Sequence, residues 1–198
     1  MIHIRLHVAG EIAAHLDELA ALRLAVFRGW PYFYCGDAAR ERRYLATYAR
    51  SPGSLFVLAL DDDRIVGASM SIPLQDESAR YRRPFLERGL PVGPICHFGE
   101  SVLLPDYRGL GLGHRFFDER ERHARRCGRY SMTTFCAFER DAGDPRRPAD
   151  YRPNDAFWSR RGYRRQEDMA CELDWPEHRD AIAVRHRLQF WLRPLDTA

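Results

Sequence analysis

No lysine occurs in the 198 residues, so arginine supplies all 31 strongly basic side chains. A coding preference for arginine explains the bias, and it has chemical consequences. A guanidinium neither forms a Schiff base nor gives up its proton readily, which excludes lysine-dependent catalysis. The arginines also alternate with acids, as in "FDERERHARR" at 117–126, and the formal net charge is only +3. That is how a solvated helix face reads; a nucleic-acid binder shows a more one-sided stripe, so no nucleic-acid partner is expected.

Cysteine is sparse and scattered. Cys35, Cys96, Cys127, Cys136 and Cys171 are odd in number and form no C-x-x-C pair, which excludes a disulfide framework and a zinc knuckle. Cys96 and His97 adjoin, but neighbours on a strand point to opposite faces, so no metal is expected. No apolar run approaches the ~20 residues of a membrane span. The start "MIHIRLHVAGE" alternates like a strand and lacks the apolar core of a signal peptide, so the expectation is a cytoplasmic protein. Repeats, low-complexity tracts and linkers are missing too, and the length suits a single domain over residues 1–198.

What is present reads as alternating strands and helices. A strand is predicted at 2–8 and a helix across "EIAAHLDELAALRLAVFRGW", whose apolar residues Ile12, Leu16, Leu19, Leu22 and Val26 recur at helical spacing. A second helix fits 38–50, and "SLFVLALDDDRIVGASMSIP" reads as a hairpin around an acidic turn. Residues 75–93 read as a loop with a helical stretch at 79–88. "PICHFGESVLLP" is the next strand, and Gly99 inside it signals a bulge or a close backbone approach. A helix at 110–127, a strand at 130–138, a short helix in "NDAFWSRR" and strands at 163–174 and 184–193 follow.

The most informative stretch is "LPDYRGLGLGHRFF" at 104–117, where Gly109, Gly111 and Gly113 stand where a helix begins. Glycine costs ~1 kcal/mol in a helix relative to alanine, so three of them call for a reason. Backbone amides at a helix start, free of Cβ atoms, suit a close approach by an anion. A P-loop would need a lysine, and a G-x-G-x-x-G fingerprint fails in both frames because His114 and Phe116 fall at its last glycine.

What remains, a strand, Pro105 and then R-G-x-G-x-G opening a helix, resembles the pyrophosphate-binding signature of the GNAT superfamily of acyl-CoA-dependent N-acyltransferases. Arg108, Gly111 and Gly113 fill the fixed places of its Q/R-x-x-G-x-G/A motif, and the element order matches over nearly the whole chain. The resemblance implies an α/β fold with a twisted mixed sheet of about seven strands and helices on both faces. It implies acetyl-CoA as co-substrate, held by Arg108, Gly109, Leu110, Gly111, Leu112, Gly113 and His114, with Ser101, Val102 and Leu103 pairing with the pantetheine arm. The partner it implies is a small-molecule or peptide amine acceptor, without a membrane, and it leaves room for a homodimer. An acyl-CoA-binding sensor on the same fold, without turnover, is the alternative.

In that family the base is often a carboxylate beside the signature strand, which points to Glu100; a structural ion pair with an arginine is the competing reading. His97 is the second candidate, facing opposite to Glu100 on simple alternation unless Gly99 forms a bulge. The family's usual tyrosine near the CoA sulfur is replaced by Trp158, which has no proton to give, so Tyr151, Tyr107 or Tyr163 substitutes, or water protonates the thiolate, or no acid is needed. The aromatic turn Trp30, Tyr32, Phe33, Tyr34 suggests a wall of an apolar acceptor pocket.

Overall fold

The computed structural model describes residues 1–177 and 183–195. Seven strands form one sheet in the order β1-β2-β3-β4-β5-β7-β6, with β1 at Ile2–Val8, β2 at Leu55–Asp61, β3 at Arg64–Pro73, β4 at Ile95–Leu103, β5 at Met132–Phe138, β6 at Arg164–Trp175 and β7 at Val184–Pro194. All neighbours are antiparallel except β4 and β5. The five α-helices are α1 (Leu16–Phe27), α2 (Ala38–Arg50), α3 (Ala79–Leu86), α4 (Leu112–Arg126) and α5 (Asp155–Arg160). Among the described residues no helix is long and apolar enough to cross a membrane.

Alternation along the inner strand β2 sorts the helices to two faces. Phe56, Leu58 and Leu60 pack in one cluster with Leu19 and Leu22 of α1 and with Leu45 and Tyr48 of α2. Leu55, Val57 and Ala59 point the other way, onto Leu112 and Phe116 of α4. Phe85 of α3 joins Ile95, Leu188 and Phe190 over the far half of the sheet. On the α4 face, Cys96, Phe98, Phe117, Phe135, Tyr163 and Trp191 form the matching cluster, with Phe157 and Trp158 of α5 against it. The sheet thus has α1 to α3 on one side and α4 with α5 on the other.

The first helix begins later than its apolar spacing predicts. Ala9–His15 is a 3-10 turn, held where the Glu11 carboxylate accepts from the Val8 amide at 2.9 Å, and His15 (φ −107°, ψ 4°) separates it from α1. Ile12 is buried nonetheless, so the apolar period records burial and the local carboxylate sets the helix type.

Candidate active site

The site lies where β4 and β5 part. Their parallel pairing covers only Ile95–Met132, Cys96–Thr133 and His97–Thr134. β4 continues to Leu103 and β5 to Phe138, so from Phe98 on β4 pairs with β3 alone. Ser101 is exposed for this reason, although it sits in an inner strand. Ser101, Val102 and Leu103 therefore border an open gap in the sheet.

At the end of β4 the chain turns through Pro105–Tyr107 into the glycines. Gly109 and Gly111 both have φ +78°, a left-handed conformation that costs an L-residue ~1–2 kcal/mol. Gly113 lies in ordinary helix, and a Cβ there would meet no atom within 4 Å. The three glycines thus have two explanations: two shape the turn, and the third leaves open space above the helix start. Gly111 is the N-cap of α4 and offers no capping side chain. Among the described residues, the amides of Gly109, Leu110, Gly111, Leu112 and Gly113 find no acceptor. The His114 amide does not belong with them, because it donates to the Gly111 carbonyl at 3.0 Å. Its ring packs edge-on against Phe157 at 4.8 Å. Arg108 is exposed beside the loop. Five free amides at a helix start, with the dipole behind them, form an anion cradle that fits a pyrophosphate.

The bulge signalled by Gly99 is present. Ser69 pairs with Ser101 and Ser71 with Phe98, which leaves Gly99 and Glu100 opposite Met70. A Cβ on Gly99 would lie 2.7 Å from the Tyr48 hydroxyl and 3.0 Å from Met70 Cγ, so the close backbone approach is present as well. The extra residue reverses the alternation beyond it. His97 lies opposite Ile72 on the face of α1 to α3, and Glu100 now points to that same face, into an ion pair with Arg23 of α1. Tyr44 of α2 donates to Glu100 Oε2 at 2.8 Å. Behind the bulge, Arg120 of α4 reaches the Met70 carbonyl (3.4 Å) and Ser101 Oγ (3.0 Å); burial pushes its pKa down to about 10.

Glu100 belongs to a larger buried network. Arg23 also pairs with Glu41, which accepts from Tyr34, and its guanidinium lies 4.3 Å from the Tyr44 ring centroid. The Tyr44 and Tyr48 hydroxyls are 3.2 Å apart, and Tyr48 reaches Glu77. Sequence reasoning missed Arg23, Glu41, Tyr44, Tyr48 and Glu77. One signal was legible: Arg23 interrupts the buried stripe of α1, one turn from both Leu19 and Phe27.

The other candidates separate clearly. His97 is 2% exposed with its ring 5.3 Å from that of Tyr81, and burial, with Arg120 adding to it, depresses its pKa to about 3. Such an imidazole is a poor proton acceptor near neutral pH. Tyr163 is buried, its hydroxyl engaged with Thr133 (3.0 Å) and Glu121 (3.3 Å), and Tyr107 donates to Asp61 at 3.0 Å. Neither hydroxyl faces the gap. Tyr151 is half-buried against Trp30, with ring centroids 5.7 Å apart, and burial raises its pKa. Trp158 packs on Phe135 (5.0 Å) and Trp191 (5.2 Å), and Phe135 is the first β5 residue past the pairing with β4. From the aromatic turn, Tyr34 fills the core, whereas Tyr32 is half-buried and makes no side-chain hydrogen bond among the described residues. Burial raises the Tyr32 pKa to about 12, and burial likewise raises Tyr44 and Tyr81; all three also respond to the Cys136 thiol on β5. The Tyr32 ring lies against Phe138 of β5, with ring centroids 5.1 Å apart, whereas Tyr44 and Tyr81 stand beside Glu100 and His97 of β4. Among the described residues no group of three His, Cys, Asp or Glu side chains is arranged for a metal ion.

Solved structures share this architecture at low identity. An acetyltransferase of the GNAT family from Staphylococcus aureus Mu50 superposes with a TM-score of 0.62 at 15% identity, over 99% of this chain and 100% of that one. A GNAT superfamily phosphinothricin acetyltransferase from Sinorhizobium meliloti, solved in complex with AcCoA, gives 0.61 at 17% identity, over 97% and 88%. An acetyltransferase from Streptococcus agalactiae 2603 gives 0.60 at 16%, over 98% of each chain. Among curated proteins the sequence has no match. The sequence model of the acetyltransferase (GNAT) family covers residues 20–143, more than half of the chain, from α1 through the glycine loop to the end of β5. On that match the chain belongs to the GNAT family of acetyltransferases, whose chemistry is acyl transfer from acetyl-CoA.

Proposed function

We propose that the chain transfers an acetyl or other short acyl group from acyl-CoA to a primary amine, by direct attack of the amine on the thioester in a ternary complex. The observation that carries this reading is the run of five unpaired amides from Gly109 to Gly113, set beside the gap between β4 and β5. The pyrophosphate sits on those amides with Arg108 nearby, and the pantetheine arm runs along Ser101, Val102 and Leu103. Trp158 forms an apolar wall. Acetyl-CoA supplies the activated acyl group; the chain binds, orients and moves protons.

The amine enters from the face of α1 to α3. Arg23 contributes one positive charge there against the carboxylates of Glu41 and Glu100, which favours a cation. Tyr32, Tyr44 and Tyr81 present aromatic surface, so the acceptor class is a primary amine carried on an apolar or aromatic group. Glu100 takes its proton. The unpaired Tyr32 hydroxyl and that of Tyr151 are the donors available to a departing thiolate, which leaves readily near neutral pH because a thiol's ordinary pKa is about 8.5.

The test is CoA release across a panel of primary amines, 2-phenylethylamine among them, with acetyl-CoA binding measured by calorimetry in parallel. Turnover with at least one amine is expected. Tight binding with no turnover would establish the sensor alternative, and no binding at all would remove the anion-cradle reading.

A further inference from the structure

The hydroxyls and carboxylates behind Glu100 form a directed chain, and their protons can be counted. Each tyrosine hydroxyl carries one proton. Tyr44 gives its proton to Glu100 at 2.8 Å, so the 3.2 Å contact between Tyr44 and Tyr48 needs a proton from Tyr48. Tyr48 then has none left for Glu77, and their contact is a hydrogen bond only when Glu77 is protonated and donates. Every contact is also filled in the reverse order, with the proton on Glu100 and each hydroxyl donating toward Glu77. The chain is complete in two states that differ by one proton's position.

The two ends are not equivalent. Glu100 lies against the Arg23 guanidinium, which favours its ionised form. Glu77 is 4% exposed and has no cation within ion-pair distance among the described residues. Burial raises its pKa; the Tyr48 hydroxyl, the Ser78 amide and the more distant Arg80 and Arg82 of α3 act in the opposite sense and do not overcome it. The other titratable groups facing it are Tyr44 from α2, Tyr81 from α3 and Cys136 from β5. Its neighbour Asp76 is engaged with Ser51 at 2.6 Å. Two carboxylates whose surroundings push them apart divide the labour of proton handling between them.

We propose that Glu77 is the proton store for Glu100, connected to it through the Tyr44 and Tyr48 hydroxyls. This rests on the acetyltransferase reading above. The relay starts from the state in which Glu77 as well as Glu100 is ionised, reached above the pH at which Glu77 gives up its proton, so that the chain is one proton short of complete. The acceptor arrives as an ammonium ion and gives that proton to Glu100. Hops along Tyr44 and Tyr48 move a proton onto Glu77 and restore Glu100 as a carboxylate. The neutral amine attacks the thioester carbonyl, forming the N–C bond as the C–S bond breaks. The second N–H proton leaves with the thiolate as the thiol, and Glu77 returns its proton to water by the same chain once the amide product has gone. Glu77 never touches the substrate; it positions a proton.

The test has two arms. In the protein without substrate, infrared spectra across a pH series should show a protonated carboxyl band that persists above the pH at which ordinary carboxylates have ionised. Glu77→Gln should abolish it. The absence of such a band, or its persistence unchanged in Glu77→Gln, overturns the proposal whether or not the protein turns over an amine. In the second arm, with acetyl-CoA and 2-phenylethylamine or another accepted amine of the panel, Glu77→Gln and Tyr48→Phe should each lower kcat by at least about tenfold. Both should erase the apparent pKa of the wild-type rate profile and leave the KM for acetyl-CoA unchanged. Variants that keep the wild-type profile overturn the relay while wild-type turnover still upholds the acetyltransferase reading. A wild type that turns over no amine sinks that reading instead, and the infrared arm alone then decides where the proton resides.

Discussion

Helices α2 and α4 begin in opposite ways. At α2 the Asp37 carboxylate accepts from the Arg40 amide at 2.8 Å, satisfying a donor that the helix leaves free. At α4 the N-cap is Gly111, no side chain caps it, and five amides stay open. The bodies of the two helices continue the contrast. Glu41, Tyr44 and Tyr48 of α2 enter a closed network with Arg23, Glu77 and Glu100, whereas the start of α4 faces open space. A helix start finished by its own chain contributes to stability. One left unfinished beside a gap in the sheet keeps its amides free for a ligand, as the proposed pyrophosphate site requires, and the closed network lies behind it.

Substitutions can break that contrast on either side. The largest effect is expected at Glu100: Glu100→Gln should lower kcat by roughly 10²–10⁴-fold while the Kd for acetyl-CoA, measured by calorimetry, stays nearly constant. Next comes Arg23→Met, which leaves Glu41 and Glu100 without their shared cation. Removing one partner of a buried pair costs about 3–5 kcal/mol, and denaturant unfolding should read a loss of that order. An unchanged midpoint would mean that the network contributes nothing to the fold.

The same closed side has a pH dependence with a definite sign. His97 is held neutral by burial with a folded pKa of about 3, below the ordinary value of 6.5. Its contribution to stability is therefore fully present above about pH 6.5 and is lost as the pH falls toward 3, because the unfolded chain binds the proton more readily. His97→Gln should flatten the fall in Tm over that range; an equally steep fall would place the acid sensitivity elsewhere.

On the open side, Gly113→Glu is the informative change. Gly113 has ordinary helical geometry and no neighbour within 4 Å of a Cβ, so the fold should be spared, unlike at Gly111 with φ +78°. Acetyl-CoA affinity should fall by at least about tenfold, which is ~1.4 kcal/mol, and unaltered binding in the folded variant would refute the cradle. The smallest effect belongs to the capped helix: Asp37→Ala should cost ~1 kcal/mol of stability and leave acetyl-CoA affinity alone.

Much of this was readable from the residues in order. α2 spans 38–50 as its spacing predicts, the hairpin stands at β2 and β3, and the glycine loop opens a helix. Each is a local feature, set by period, turn residues and caps within a short window. Gly99 was legible only as an alternative between a bulge and a close approach, and the fold uses it for both. The onset of α1 departs from the apolar period, with a 3-10 turn at Ala9–His15 in which the Glu11 carboxylate accepts from the Val8 amide.

The sequence by itself determined the order of elements, the family and the glycine-rich start of α4, because a helix start with three glycines is written in consecutive residues. Only the tertiary structure decided where Glu100 points and what surrounds it. One extra residue in β4 reverses the side-chain alternation, turns Glu100 to the side of His97, and brings it to Arg23, Tyr44, Tyr48 and Glu77 from separate parts of the chain. No window of sequence contains that meeting. It exists because a strand alternates with a period of two, so a single inserted position changes which face of the sheet every later side chain serves.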